Sequence, residues 1–231
     1  MNLNKEIIAL ANQNGCSIIG FADLRCLPNE ARKNFDYGII FALAFSKEAM
    51  QKNNNDLPQK YYDEHKPMNQ NFINLKNITA EFLIGKGYDV EINTPASVIN
   101  DETLRSLLPQ KTVATLSGIG WIGKNAMLIT DEAGSAIRLT LILTNAPLNC
   151  GTPITKSKCD PDCKICTDIC PGDAPLGGLW EVGVDRDKFF NAHACRAAGR
   201  ARAKRLLNVE ETVCGLCVSH CPFTKKGLGY E

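Results

Sequence analysis

The chain has 231 residues, 44% of them hydrophobic, which is enough for one well-buried core with a small satellite but not for a string of domains. Its 26 basic and 25 acidic side chains leave a formal charge of +1, which excludes an overall polycationic coat for nucleic acid and an overall acidic sink, so any electrostatic function is local. The opening Met1-Asn2-Leu3-Asn4-Lys5-Glu6 lacks the basic-then-apolar order of a secretory signal, and no stretch nears the roughly 18 apolar residues that span a bilayer.

The expectation is therefore a cytoplasmic protein with no membrane partner. In a reducing compartment its eleven cysteines suit metal ligation better than disulfides.

In chain order, residues 4–14 read as a helix that buries Ile7, Ile8, Leu10 and Ala11, with Gly15 placed for a C-terminal cap. Residues 16–21 and 37–45 read as strands. Residues 47–66, rich in Asn, Gln and Lys, read as an exposed loop. Phe72, Leu75, Thr79, Phe82 and Leu83 recur at helical spacing until Gly85 and Gly87 end the pattern. A strand over 89–93 and a short helix over 101–108 are expected next. Two β-rich runs, 126–130 and 135–144, flank Asp131-Glu132-Ala133-Gly134, which reads as a hairpin turn. The alternation predicts an α+β fold, a mixed sheet with helices packed on it.

Composition changes after Leu148. From Cys150 onward come nine of the eleven cysteines, broken up by Pro and Gly, with one helix expected over 187–207. The predicted division is 1–149 and 150–231.

The second part carries Cys159-x3-Cys163-x2-Cys166-x3-Cys170-Pro171, answered by Cys214-x2-Cys217-x3-Cys221-Pro222. Two-cluster ferredoxins use a closely similar run in which the fourth cysteine ligates the other cluster. The x2 spacing wraps a loop around one cubane, and the Cys-Pro step leads the chain away. Each cubane needs four thiolates, and Cys195, separated from Cys214 by 18 residues, completes the second set. The assignment is Cys159, Cys163, Cys166 and Cys221 on one 4Fe-4S cluster, and Cys170, Cys195, Cys214 and Cys217 on the other. Structural zinc knuckles also favour C-x2-C, but they have no reason to repeat C-x2-C-x3-C-P twice. Cys16 and Cys26 read as buried or semi-buried thiols and Cys150 as a spare ligand. His193, Arg196, Arg200, Arg202, Lys204 and Arg205 form a basic helix, either a docking patch for a phosphate backbone or an acidic electron donor, or a solvated face that offsets thiolate charge.

Gly118, Gly120 and Gly123 suit a loop against a large flat ligand with Trp121 as an apolar face; the alternative is a tight turn with Trp121 as packing. The run Gln110-x3-Ala114-x2-Ser117-Gly118-Ile119-Gly120-Trp121-Ile122-Gly123-Lys124-Asn125, then Ala133-Gly134-Ser135, Thr144, Pro147-Leu148 and the double cysteine pattern, resembles the epoxyqueuosine reductase family. Gly20-Phe21-Ala22-Asp23 extends the likeness towards the N-terminus.

That family comprises cobalamin-dependent iron-sulfur reductases of a tRNA-linked epoxide, related to reductive dehalogenases. The resemblance implies a nitroreductase-like corrinoid domain followed by a ferredoxin-like double 4Fe-4S module. An external low-potential donor would feed the outer cluster, then the inner cluster, then cobalt. It further implies Ser117, Gly118, Gly120, Trp121, Gly123 and Lys124 as a cobalamin cradle, and a small-molecule or tRNA-linked substrate.

Two departures follow. Where the family has a catalytic aspartate, Ile92-Asn93-Thr94-Pro95 places Asn93, which can donate a hydrogen bond but cannot deliver a proton, leaving water, Asp89, Glu91 or Asp101. The helical-repeat region of longer members has no counterpart after Pro222, the pattern of a short form. Rival expectations are a ferredoxin-like electron carrier that docks to a partner, and a flavin-dependent iron-sulfur reductase.

Overall fold

The computed structural model describes every residue except Met1, Ser17, Asn55, Leu57, Val98 and Glu231. Two compact units form: Met1–Leu43 with Pro67–Ile119 and Arg138–Ile154, and Ala44–Lys66 with Gly120–Ile137 and Thr155–Glu231. Segments 44–66 and 120–137 thus belong to the second unit although they precede residue 149.

In chain order the elements are α1 (Leu3–Gln13), β1 (Ile18–Asp23), α2 (Asn29–Arg32), β2 (Tyr37–Ala44), α3 (Lys47–Asn54), α4 (Gln59–Asp63), α5 (His65–Gly85), β3 (Val90–Glu91) and α6 (Gln110–Leu116). There follow β4 (Trp121–Ile122), β5 (Leu128–Ile129), β6 (Ile137–Thr144), α7 (Ile165–Asp168), α8 (Ala192–Leu207), α9 (Leu216–Ser219) and α10 (Pro222–Leu228).

The first unit is built on a four-stranded sheet in the order β1-β2-β6-β3, with β1 antiparallel to β2 and β3 antiparallel to β6. Strand β2 is buried along six consecutive residues, so it reads as a continuous apolar run where a one-faced strand would alternate. Helix α1 starts where the Asn2 side chain accepts the Asn4 N–H, and it buries Ile7 and Ala11. Helix α5 buries Met68, Phe72, Leu75, Thr79 and Leu83 along one stripe.

Four sequence expectations are corrected. Residues 47–66 are not a loop but carry α3 and α4. Ser46 Oγ caps α3 by accepting the Ala49 N–H, Glu48 and Lys52 pair one turn apart, and Ala49, Met50 and Asn53 are buried, so a polar composition conceals a half-buried helix. Residues 101–108 are not a helix: Asn100 bridges Arg105 around a turn whose N–H groups at Glu102 and Thr103 are taken by the Asn100 side chain. This local bonding replaces the helical ladder.

Residues 131–134 do make a tight turn, with Thr130 and Gly134 exchanging backbone hydrogen bonds. The strands around it, however, go to different sheets, because β5 pairs with β4 while β6 joins the larger sheet. The helix expected over 187–207 is interrupted as well: a 3-10 turn, Arg186–Lys188, precedes α8, whose start is fixed by the Asn191 side chain accepting the Ala194 N–H.

Candidate metal centre

The cysteine repeat in the sequence is also a repeat in structure. Cys163-x2-Cys166 runs into the four-residue α7, and Cys214-x2-Cys217 into the four-residue α9. Each short helix is followed by a Cys-Pro step. Pro222 then sits at the first position of α10, where its fixed φ is already helical and its missing N–H leaves no donor unpaired.

A cavity of about 660 Å³ is lined by Cys159, Cys163, Cys166 and Cys221. Burial, with Cys159, Cys163 and Cys221 adding to it, pushes the Cys166 thiol up to about 11, so these four sulfurs sense one another. Burial likewise raises Cys217 well above its ordinary value, with Cys195, Cys214, Cys166 and Cys170 adding to the effect. Cys166 and Cys217 thus each respond to thiols from both repeats. Among the described residues no three or more His, Cys, Asp or Glu side chains converge as they would around one bare ion.

The donor chemistry fits a polynuclear cluster: eight soft thiol donors in two groups, one group around a cavity far larger than a single ion.

The surroundings hold the loops in place. Lys124, 3% exposed, donates from Nζ to Pro161 O at 2.5 Å and to Cys163 O at 3.0 Å, so its ammonium braces the first cysteine loop. Asn125 Nδ2 donates to Cys217 O at 3.4 Å. Burial raises the Cys221 thiol, while the Thr224 and Phe223 N–H groups and the Ser135 hydroxyl pull it back. Ser135 also donates its N–H to Thr224 Oγ1 at 3.0 Å, which ties the 131–134 turn to α10. Ser135, Asn53 and Asp56 were not singled out as site residues. Ser46, a residue type that caps helices, and the Ala-Gly-Ser turn are the sequence signals that point towards them.

The predicted cradle residues are turned inward. Ser117 is buried and donates to Ala114 O at 2.8 Å. A Cβ on Gly118 would lie 2.5 Å from Thr152 O, and one on Gly120 would lie 2.3 Å from Ile129 O. At Gly123 it would meet Ile129 Cδ1 at 2.5 Å. Trp121 is 1% exposed, edge-on to Phe223 at 5.0 Å and beneath the Lys158 ammonium at 4.6 Å. The close approaches are to the chain's own atoms. The side chains of residues 117–124 are thus engaged with the chain's own atoms, and that packing accounts for the glycines at 118, 120 and 123.

Asn93 is exposed beyond β3, its N–H donating to Glu91 Oε1 at 2.6 Å and its carbonyl accepting from Lys33 Nζ at 2.9 Å. Burial acts to raise the Glu91 carboxyl, but hydrogen bonds from Lys33 and the Asn93 N–H outweigh it and hold the group below its usual range. Glu91 is therefore ionised at neutral pH and is a poor proton source. Asp89 Oδ2 accepts from Asn145 at 2.9 Å.

The leftover cysteines differ from one another. Cys16 is wholly buried and is pushed up to about 11 by that burial. Cys26 is exposed, a correction to the semi-buried expectation, because it lies in the turn before α2. Cys150 donates to Leu148 O at 3.5 Å and lies near Asp23, within the first unit. Maleimide at neutral pH should modify Cys26 rapidly and Cys16 only after denaturation, as read by peptide mass. Equal rates at the two would contradict the burial of Cys16.

On α8, Arg202 is buried, so the expected basic patch loses one member. Lys204 pairs with Glu210 at 2.6 Å, and His193, Arg200 and Arg205 remain exposed.

Comparison with known proteins follows the same division between fold and sequence. No family model matches the chain. The solved structure of an epoxyqueuosine reductase with an epoxyqueuosine-modified tRNA-Tyr stem loop superposes with a TM-score of 0.61 at 19% identity, covering 96% of this chain and 65% of that one. A reductive dehalogenase, whose structure suggested a mechanism for B12-dependent dehalogenation, superposes with a TM-score of 0.66 at 15% identity, covering 96% of this chain and 32% of that one. The chain has the fold shared by these reductases.

In sequence its likeness is to epoxyqueuosine reductases: the protein of that name from Atelocyanobacterium thalassa is 35% identical over 120 residues. That alignment covers 52% of this chain and 38% of the relative, so the chain matches well under half of the relative's length. Among the described residues no helix is long and apolar enough to cross a membrane.

Proposed function

We propose that this chain is an iron-sulfur reductase of the epoxyqueuosine reductase type, with residues 150–231 carrying two 4Fe-4S clusters. The single observation behind this reading is the convergence of Cys159, Cys163, Cys166 and Cys221, from two distant repeats, on one cavity. When bound, cubanes store and pass single electrons from an external low-potential donor. The chain's part is to fix the cage: Lys124 and Asn125 clamp the carbonyls of the two cysteine loops, and Ser135 and α10 hold Cys221.

Cobalamin and a tRNA-linked substrate are supported by the relatives, one of which was solved with a tRNA stem loop and another described as B12-dependent. The side chains of the loop 117–124 pack against the chain's own atoms. That inward packing favours a second reading, an electron carrier that serves a partner reductase.

The experiment is anaerobic purification followed by analysis of iron, sulfide and zinc, with added cobalamin at micromolar concentration. About eight irons per chain are expected under the cluster reading, and zinc in their place would overturn it. A changed cobalt spectrum on mixing supports the reductase. Intact clusters with no cobalamin binding support the carrier.

A further inference from the structure

Beside the second cysteine loop lies a buried guanidinium with one donor that the chain itself does not satisfy. Arg202 is 4% exposed, on α8 between the buried Gly199 and Ala203. One of its terminal nitrogens pairs with Asp56, and the other donates to Asn53 O at 3.5 Å and to Asn53 Oδ1 at 3.2 Å. Its Nε is buried and has no acceptor among the described residues. A buried donor left unpaired is costly unless something absent from the protein alone accepts from it.

The neighbourhood identifies that acceptor. One turn before Arg202, a Cβ on Gly199 would lie 3.8 Å from Cys214 Cβ. Gly215, in the left-handed region at φ +70°, brings the second loop so close that a Cβ there would meet Asn53 Nδ2 at 2.9 Å and Tyr61 Cε1 at 2.8 Å. Asn53 in turn donates to Ser219 Oγ of α9 at 3.4 Å. Arg202, Asn53 and the half-buried loop Cys214–Cys217 therefore form one packed group.

We infer that Arg202, presented by Asn53 and Asp56, is a positioning residue that sets the reduction potential of the cluster held by Cys170, Cys195, Cys214 and Cys217. Its cation and its unpaired Nε–H favour the more negative, one-electron-reduced cube, while the Asp56 carboxylate partly offsets that cation. The other quartet has Lys124 on its loop instead, so the two clusters are tuned separately. This inference rests on the cluster reading above.

The test is an anaerobic redox titration with dithionite as electron source, followed by electron paramagnetic resonance, on the full chain with both clusters loaded. Arg202→Lys keeps the charge and removes the Nε–H. It should lower the reduced-to-oxidised ratio of one cluster about tenfold at a fixed ambient potential, about 59 mV for a one-electron couple, and leave the other unmoved.

Asp56→Asn should shift the same cluster the opposite way by a smaller factor, about threefold, since that side chain is 59% exposed and its field is screened. Asparagine also tolerates the left-handed backbone of residue 56, at φ +63°, so this variant folds even where the arginine variant does not. Shifts of opposite sign on one cluster support the inference. Full iron in both variants with neither potential displaced, or displacement in the same direction, overturns it. Absence of iron in the unmutated chain overturns the cluster reading instead and is seen before any titration.

Discussion

Cys221→Ser should remove the cluster whose other ligands, Cys159, Cys163 and Cys166, lie in the earlier repeat, lowering iron from about eight to about four per chain. The cavity is the reason: its thiols come from both repeats, and Cys221 is the only one supplied by the later repeat. Hydroxyl oxygen is a hard, weakly acidic donor, so it replaces a thiolate poorly on iron-sulfur centres. Cys170→Ser should do the converse, losing the cluster served by Cys195, Cys214 and Cys217. Anaerobic iron and sulfide analysis with resonance spectra of each variant measures both. If each variant instead lost the cluster nearest in sequence, the loops would be closed separately and the crossed assignment would fall.

Iron removal should unfold much of the second unit while the sheet of the first keeps its hydrogen-exchange protection. Helices α7 and α9 have four residues each, far below the length at which a helix holds its own shape in water. What holds these loops is a small set of clamps, from Lys124 and Asn125 to loop carbonyls and from Asn53 to the Ser219 hydroxyl, together with whatever the thiols bind. Metal bound at structural sites contributes on the order of 10 kcal/mol, comparable to the whole stability of a domain.

The first unit needs no such help, because β2 and β6 are buried along most of their length and α5 and α1 bury Leu75, Leu83 and Ile7 as well. Exchange mass spectrometry before and after chelation distinguishes the units peptide by peptide. Unchanged protection over α7, α9 and α10 would show that the tail is self-supporting.

Much of the first unit was legible because its signals are contiguous. The apolar run at 37–44 and the stripe from Phe72 to Leu83 are patterns of burial written along the chain. Segment 47–66 was misread for the opposite reason. Its Asn, Gln and Lys residues describe the exposed side of α3, while the two or three residues that matter, Met50 and Asn53 among them, are too few to set a period. Residues 101–108 show the reverse error, an expected helix that the Asn100 side chain captures as a turn.

Sequence alone supplied the donor inventory, since the spacing of Cys163, Cys166 and Cys170, and of Cys214, Cys217 and Cys221, is a local property that any fold must inherit. Only the folded chain decided which sulfurs share a cavity, that Trp121 and Lys124 face inward, and that one arginine of a basic helix is buried beside Cys214. Burial and the meeting of charges depend on residues remote along the chain, and no local pattern carries the distance between them.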